Sequence, residues 1–436
     1  MIDAVLHAAD PAAAIARSPR AERVRGPILG PIAVGKAALP MLEGFLTVYP
    51  AAASGAFAIT PTGTPASTAP IPREQVREAD HPIATDRNTA AVGALLAHIA
   101  SIRSRAPAGA RLVLLLSGGA SALLTMPVES VPLHELAELT RALMRAGAPI
   151  NDLNTVRKHL EQLKGGRLAR LLAPIPIDAF LLSDVVGAAP SVIGSGPASP
   201  DPTTCADALA VLDRYGCRHI SPAATAHLEA AVRAGPTSPL ETPKPGDPIF
   251  ESSTTRIVAS NRAAVDAACR VLIDLGFTIA QARHNVTGEA RDVGRWLGEA
   301  ACDLALQRTT RGGAPPRAIV LGGETTVTIR QPGQGAGGRN RELALAAAMH
   351  VAHLPGVAVL TFATDGVDGV HPTGAAPAAG ALVTGATVPD ATSAGLDAAE
   401  HLARHESHLF FEALGANIYT GPTGTNVNDV AVAMVY

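Results

Sequence analysis

Residues 111–121 read RLVLLLSGGAS: an arginine, five apolar residues, then a Gly-Gly turn flanked by serines. An apolar run this short, closed by a turn signal, is the pattern of a strand buried on both faces. The same kind of run recurs at Ile28–Val34, Ile177–Leu182, Arg317–Leu321, Val357–Phe362 and Val430–Val435. Helical patterns lie between these runs. Ser260 or Asn261 can cap a helix that puts Ala264, Ala268, Val271, Leu272 and Leu275 on one face, with Gly276 placed to end it. A second helix spans about Arg341 to Leu354, rich in Ala and Leu, and a third lies near Val156 to Leu172. Strands alternating with helices define an α/β architecture.

Working outward, 436 residues suit two large domains. Hydrophobic residues make up 47% and charged residues 17%, which supplies cores and excludes a disordered chain. The net charge of -3 argues against a nucleic-acid partner. Aromatic residues are only 3%, too few for a base-stacking groove. Cys205, Cys217, Cys269 and Cys302 form no CxxC pair and read as reduced thiols in a cytoplasm. No signal peptide precedes Asp10, and the apolar stretch Leu112 to Met126 is too short and too interrupted to span a bilayer. The Pro-rich stretch Gly235 to Asp247 reads as a linker or long surface connection. It divides the chain into residues 1–235, a linker over 236–254, and residues 255–436. Ser54 to Pro72 reads as a long loop.

What recurs along the chain is a strand followed by glycine and small hydroxyl residues. The turns are Ser117-Gly118-Gly119-Ala120-Ser121, Gly322-Gly323-Glu324-Thr325, Thr364-Asp365-Gly366 and Gly421-Pro422-Thr423-Gly424. In open α/β sheets ligands bind outside the carboxyl ends of strands, so such turns suit an anion held by amides and hydroxyls. Gly30 to Ala37, GPIAVGKA, nearly matches the P-loop, but Ala37 stands where a Ser or Thr must hold Mg²⁺. The more economical reading keeps Lys36 as an ammonium presented to a phosphate at a strand end. Asn154, Lys158 and Lys164 belong to a basic stretch, NTVRKHLEQLKGGR, whose glycines suggest close backbone approach. Asp184, just past a strand, can be a Mg²⁺ ligand, a base or a turn cap. Gln331 to Gly338 is a glycine loop leading into Arg339 and Asn340. An arginine at a helix N-terminus opposes the macrodipole unless an anion sits there. His350, His353, His405 and His408 read as structural or surface residues. No GxSxG elbow, kinase DFG set or dinucleotide GxGxxG follows a strand.

Together these blocks resemble the class II glycerate kinase family, which joins a glycerate-kinase domain to a C-terminal MOFRL domain, here about 317–430. The resemblance rests on VGKA at 34–37, Asp80-His81-Pro82, SGGASALL at 117–124, NTVRKHL at 154–160, KGGRLA at 164–169, LSDV at 182–185 and GSGP at 194–197. It continues through GGETTV at 322–327, GRN at 338–340, TDGVDG at 364–369 and GPTGTNVND at 421–429. It implies a Rossmann-like N-terminal domain, a mixed α/β C-terminal domain and an active site in the cleft between them. It also implies ATP- and Mg²⁺-dependent phosphorylation of D-glycerate at the 2-hydroxyl, by a monomer or homodimer. Lys36 and Arg339 match its essential cations. Asp184 and Glu324 are candidates for metal, with Asp184 also a candidate base. Ser117, Gly118, Gly119, Ser121, Asn154, Lys158, Lys164, Asn340, Thr364, Asp365, Thr423 and Asn428 are candidates for substrate or nucleotide binding.

The chain departs from the family pattern in places. The acidic pair expected after Asp184 is missing. Val370 to Ala376 is longer than usual and lacks an aspartate, and His405-Glu406-Ser407-His408 replaces an Asn-Asp-Ser-Tyr type of segment. The alternatives left open are an NAD(P)H-dependent hydroxypyruvate reductase and a catalytically impaired relative that binds small hydroxy acids.

Overall fold

The computed structural model describes the chain except residues 19–23, 25, 65–70, 184–189, 311–314 and 330–334. It folds as two compact units, one built from 11–183 and 190–258, the other from 1–10 and 259–436.

In the first unit, β1 (Ile28–Val34), β2 (Phe57–Pro61), β3 (Val76–Ala79), β4 (Arg111–Leu116), β5 (Ile177–Leu182) and β6 (Thr254–Ala259) form one sheet in the order β3-β2-β1-β4-β5-β6. The pairings among β1 to β5 are parallel. Leu112 to Leu116 are all buried, as a strand covered on both faces requires. The P-loop resemblance has a different cause. Gly30 and Pro31 lie inside β1, where the pairing with β4 shifts register, and a Cβ on Gly30 would stand 1.9 Å from the Gly55 carbonyl oxygen. A proline in a central strand needs such an irregularity, because it cannot donate to the ladder.

In the second unit, β7 (Thr278–Val286), β8 (Arg317–Gly323), β9 (Val357–Ala363), β10 (Gly380–Thr384), β11 (Asn417–Ile418) and β12 (Asp429–Val435) order as β11-β10-β9-β12-β8-β7. β12 runs antiparallel to both β8 and β9, so its first residue lies beside their last: Asp429 pairs with Gly323 and Ala363. That register brings the turns after β8 and β9 and the turn before β12 to one end of the sheet. The helix Arg339–Val351 packs on the helix Ala290–Thr310, where a Cβ on Gly294 would stand 2.2 Å from the Leu343 carbonyl oxygen.

Several expectations need correction. The stretch Ser54 to Pro72 contains β2. The helix expected near Val156 to Leu172 is two helices, Ile150–Leu160 and Arg167–Leu172, separated by Gly165 and Gly166 at positive φ. The segment 236–254 belongs to the first unit. Arg167 and Arg170 donate to the carbonyls of Leu240 and Glu241, and Glu241 and Thr242 are buried. The division falls after Val258 instead. Residues 1–10 join the second unit, where Thr425 Oγ1 donates to the Ala9 carbonyl at 2.6 Å. All four cysteines are free. Among the described residues no helix is long and apolar enough to cross a membrane.

Candidate active site

The first unit reverses its strand order between β1 and β4, and such a switch point opens a crevice at the carboxyl ends of the strands. Lys36 follows β1 there and the 117–121 turn follows β4. The two turns are laced together: Lys36 N donates to the Gly118 carbonyl at 2.8 Å, and Ala37 N donates to Ser117 Oγ at 3.0 Å. Gly35 and Gly119 hold positive φ, of 132° and 83°. A Cβ on Gly119 would stand 3.1 Å from the His81 ring and 3.4 Å from Lys36 Cγ. The Lys36 stem, the His81 ring and the glycine turn therefore converge, and Lys36 is exposed. Burial, and then the Lys36 charge, push the His81 imidazole below its usual value. A neutral His81 leaves the ammonium as the local positive charge.

Beside this turn, Ser121 Oγ lies 2.5 Å from Ser195 Oγ, which donates to Asn154 Oδ1 at 2.9 Å. Arg157, missed as a candidate, donates to the Ser121 carbonyl at 2.7 Å. Lys158 and Lys164 turn inward. Lys158 Nζ donates to Asp201 Oδ1 at 3.3 Å, and Lys164 Nζ pairs with Glu161 with both side chains fully buried. Burial pushes the Lys164 ammonium down to about 7, reinforced by Arg157 and opposed by Glu161. The basic helix face is thus largely an internal network of ion pairs. The close approach signalled by Gly165 is to Thr242, Lys158 and Asp201 of the same chain. Asp184 lies outside the described residues.

His159, Cys205 and Glu241 bring ligand-type atoms within 4.8 Å of one another. Their hydrogen bonds are already taken. His159 contacts the Thr155 carbonyl and Glu241, and Lys244 donates to Glu241 at 2.9 Å. Burial pushes the Cys205 thiol up to about 12, with Glu241 adding to the shift. These contacts tie the helix Ile150–Leu160 to the chain around residues 201–244.

In the second unit, Arg339 opens the helix Arg339–Val351. Its Nε donates to Asp429 Oδ2 at 2.5 Å, Nη2 to Asp429 Oδ1 at 3.1 Å and Nη1 to Glu324 Oε1 at 2.8 Å. Burial works against the Arg339 charge, but attraction to Asp429 and Glu324 outweighs it and holds the guanidinium above its usual value. Burial pushes the Asp429 carboxyl up to about 7, with Arg339 pulling the other way. The anion demanded at this helix N-terminus is internal: Asp368 accepts from the amides of Asn340 and Arg341 at 2.9 and 3.0 Å, and from Asn340 Nδ2. Thr364 is buried and ties the end of β9 to the loop before β12, accepting from Val427 N and donating to the Asn428 carbonyl. Thr423 Oγ1 donates to the Thr364 carbonyl, Asp365 accepts from Val367 N, and Asn428 is buried at positive φ. These residues shape the turns.

A cavity of about 960 Å³ opens in this unit, walled by Glu324, Arg339, Asp365 and Asp368 among others. His405 also lines it. Its Nδ1 lies 2.9 Å from Glu342 Oε2, and Arg291 holds the other oxygen of Glu342. The partner that holds His405 at the cavity, Glu342, is 63 positions away in sequence. The described part of the glycine loop, 335–338, is closely packed: Cβ atoms on Gly335 and Gly338 would meet backbone of His405 and Asp368 at 2.3 Å.

A switch-point turn carrying a lysine in one unit, and an arginine bound to carboxylates on a polar cavity in the other, define a class of α/β enzyme acting on small anions. A family model described as a domain of unknown function, DUF4147, matches residues 1–229, and the MOFRL family model matches residues 317–429. The D-glycerate 2-kinase of Thermotoga maritima is 34% identical over 93% of this chain and 90% of its own length. An Agrobacterium vitis protein provisionally named hydroxypyruvate reductase is 34% identical over 100% of this chain and 93% of its own. The crystal structure of a glycerate kinase from Thermotoga maritima superposes with a TM-score of 0.86 at 32% identity, covering 100% of this chain and 97% of that one. This chain belongs to the class II glycerate kinase family.

Proposed function

We propose that the protein is a glycerate 2-kinase, transferring the γ-phosphoryl group of ATP to the 2-hydroxyl of D-glycerate and releasing 2-phosphoglycerate and ADP. The observation that carries this reading is the exposed Lys36 set against the Gly118-Gly119 turn at the switch point of the first sheet. Phosphoryl transfer asks a protein for positioning and charge neutralisation more than for covalent chemistry. Lys36 neutralises the transferring group, and the amides of the turn cradle phosphate oxygens. Arg339, held at the cavity by Asp429 and Glu324, offers its remaining N–H groups to the glycerate carboxylate. As the bond from the γ-phosphorus to ADP breaks and the glycerate 2-oxygen bonds to phosphorus, the hydroxyl proton passes to His405 Nε2, the nitrogen opposite the one held by Glu342. Half-exposed carboxylate oxygens suit Mg²⁺; Glu324 and Asp365 would hold it, and when bound it supplies neutralisation of phosphate charge.

The test is ADP release from ATP and Mg²⁺ with and without D-glycerate. Release that depends on glycerate is expected. Brisk NADH oxidation with hydroxypyruvate, and no ADP release, would overturn the reading in favour of a reductase.

A further inference from the structure

We propose that a second cavity, in the first unit, seats the nucleobase of the phosphoryl donor; this deepens the kinase reading and rests on it. The cavity measures about 440 Å³, within the roughly 300–1,000 Å³ of small-molecule sites. Its walls come from the chain after β3, at Pro82 and Ile83, and from the chain after β4, at Ala137, Met144 and Ile150. Pro82 and Ile83 follow closely on the carboxyl end of β3, the side on which this architecture binds ligands.

Ile83, Met144 and Ile150 are 49%, 61% and 50% exposed. Three large apolar side chains open to water at one cavity mark a binding surface, because covering them removes apolar area from water. The cavity wall is tied to the phosphate turn. Arg157, one of its wall residues, donates to the Ser121 carbonyl at 2.7 Å. Pro82 follows His81, whose ring lies against Gly119 and the Lys36 stem. A ligand with a flat apolar head and a polyanionic tail matches this layout: the head in the cavity, the tail across residues 117–121 toward Lys36. Arg141 and Arg145 on the wall favour an anion as well.

Polar groups share the wall with the apolar ones: Thr125, Thr140, Arg141, Arg145 and Glu161 line it, and Glu161 Oε2 is buried without a hydrogen-bond partner among the described residues. The Thr140 hydroxyl donates to the Leu136 carbonyl at 2.8 Å. Apolar contact with Ile83, Met144 and Ile150 holds the base.

The experiment is titration calorimetry on the full-length protein and on Ala137→Trp, with ADP and inorganic tripolyphosphate as probes and thermal melts as controls. The indole fills the cavity. ADP affinity should fall about tenfold or more, equivalent to at least ~1.4 kcal/mol, while tripolyphosphate binding stays unchanged. Met144→Trp, on the exposed wall, carries the same test if Ala137→Trp fails to fold. ADP affinity unchanged in the folded variants would overturn the proposal while leaving the kinase intact, and so would a change confined to self-association. A wild-type protein that binds neither ADP nor tripolyphosphate would bring down the kinase reading together with this one.

Discussion

Arg339 and Asp429 stand 90 positions apart in sequence and are joined as a fork, with Nε to Oδ2 at 2.5 Å and Nη2 to Oδ1 at 3.1 Å. The antiparallel register of β12 makes this possible, because it delivers Asp429 to the ends of β8 and β9. The edge of the guanidinium best suited to a bidentate carboxylate is therefore occupied by the protein itself. A substrate anion meets a cation whose position is already fixed, which removes an ordering cost from binding.

Lysine cannot reproduce that fork, since an ammonium is a point charge with no planar pair of donors. Arg339→Lys should lose activity nearly as badly as Arg339→Ala, by roughly 10²–10³ in kcat, the scale of losing an electrostatic contact to the transition state. Steady-state kinetics of both variants check this, and full activity in Arg339→Lys would show that charge alone suffices.

Lys36 is exposed, so its loss should cost rate and not stability. Lys36→Met is expected to lower kcat by about 10²–10³ while leaving unfolding free energy within about 0.5 kcal/mol of wild type. Parallel kinetics and urea unfolding measure the two effects. A variant with normal kcat would remove Lys36 from the chemistry.

His405 sits at a φ of 57°, a conformation asparagine also tolerates, so His405→Asn should fold. It removes the imidazole from the cavity wall and leaves Glu342 paired with Arg291. kcat/KM for glycerate should fall about tenfold or more, the scale of a hydrogen bond to a charged group, with ADP binding unchanged. Kinetics unaltered across a panel of small hydroxy acids would assign His405 to structure alone.

How much of this was legible beforehand follows from where the determining contacts lie. Strands β1, β4 and β5 match their apolar runs residue for residue, because burial on both faces writes itself directly into the sequence. β7 stayed hidden: a half-exposed strand, TIAQARHNV carries polar residues throughout. β2 lay concealed in a Pro- and Thr-rich stretch. Lys36 was readable because Gly-Lys after a strand is a local pattern. Lys158 reads as a binding candidate in the sequence because its partner Asp201 is 43 positions away, and pairing at that distance leaves no local trace. The same distance hides the pairing of Asp429 with Arg339 and of His405 with Glu342.

Lys164 gives the fold a dependence on pH. Its ammonium pKa is lowered from 10.5 to about 7 in the native state. Between those values the unfolded chain holds a proton that the native protein has released, so stability rises with pH across that window. Lys164→Met removes the titrating group, and wild type should therefore gain stability relative to this variant from pH 7 to pH 9. The variant should also be less stable at pH 7, because it takes one partner from the buried Glu161. Denaturant unfolding of both proteins at the two pH values measures the difference, and an identical gap at both would contradict the lowered ammonium pKa.

The most direct test of the central claim is to supply ATP, Mg²⁺ and D-glycerate to the protein with enolase as the only coupling enzyme, and to follow phosphoenolpyruvate. Enolase acts on 2-phosphoglycerate and not on its 3-isomer. Transfer to the 2-hydroxyl predicts a signal without added mutase; a signal that appears only once a phosphoglycerate mutase is present, or no signal in either case, would contradict it.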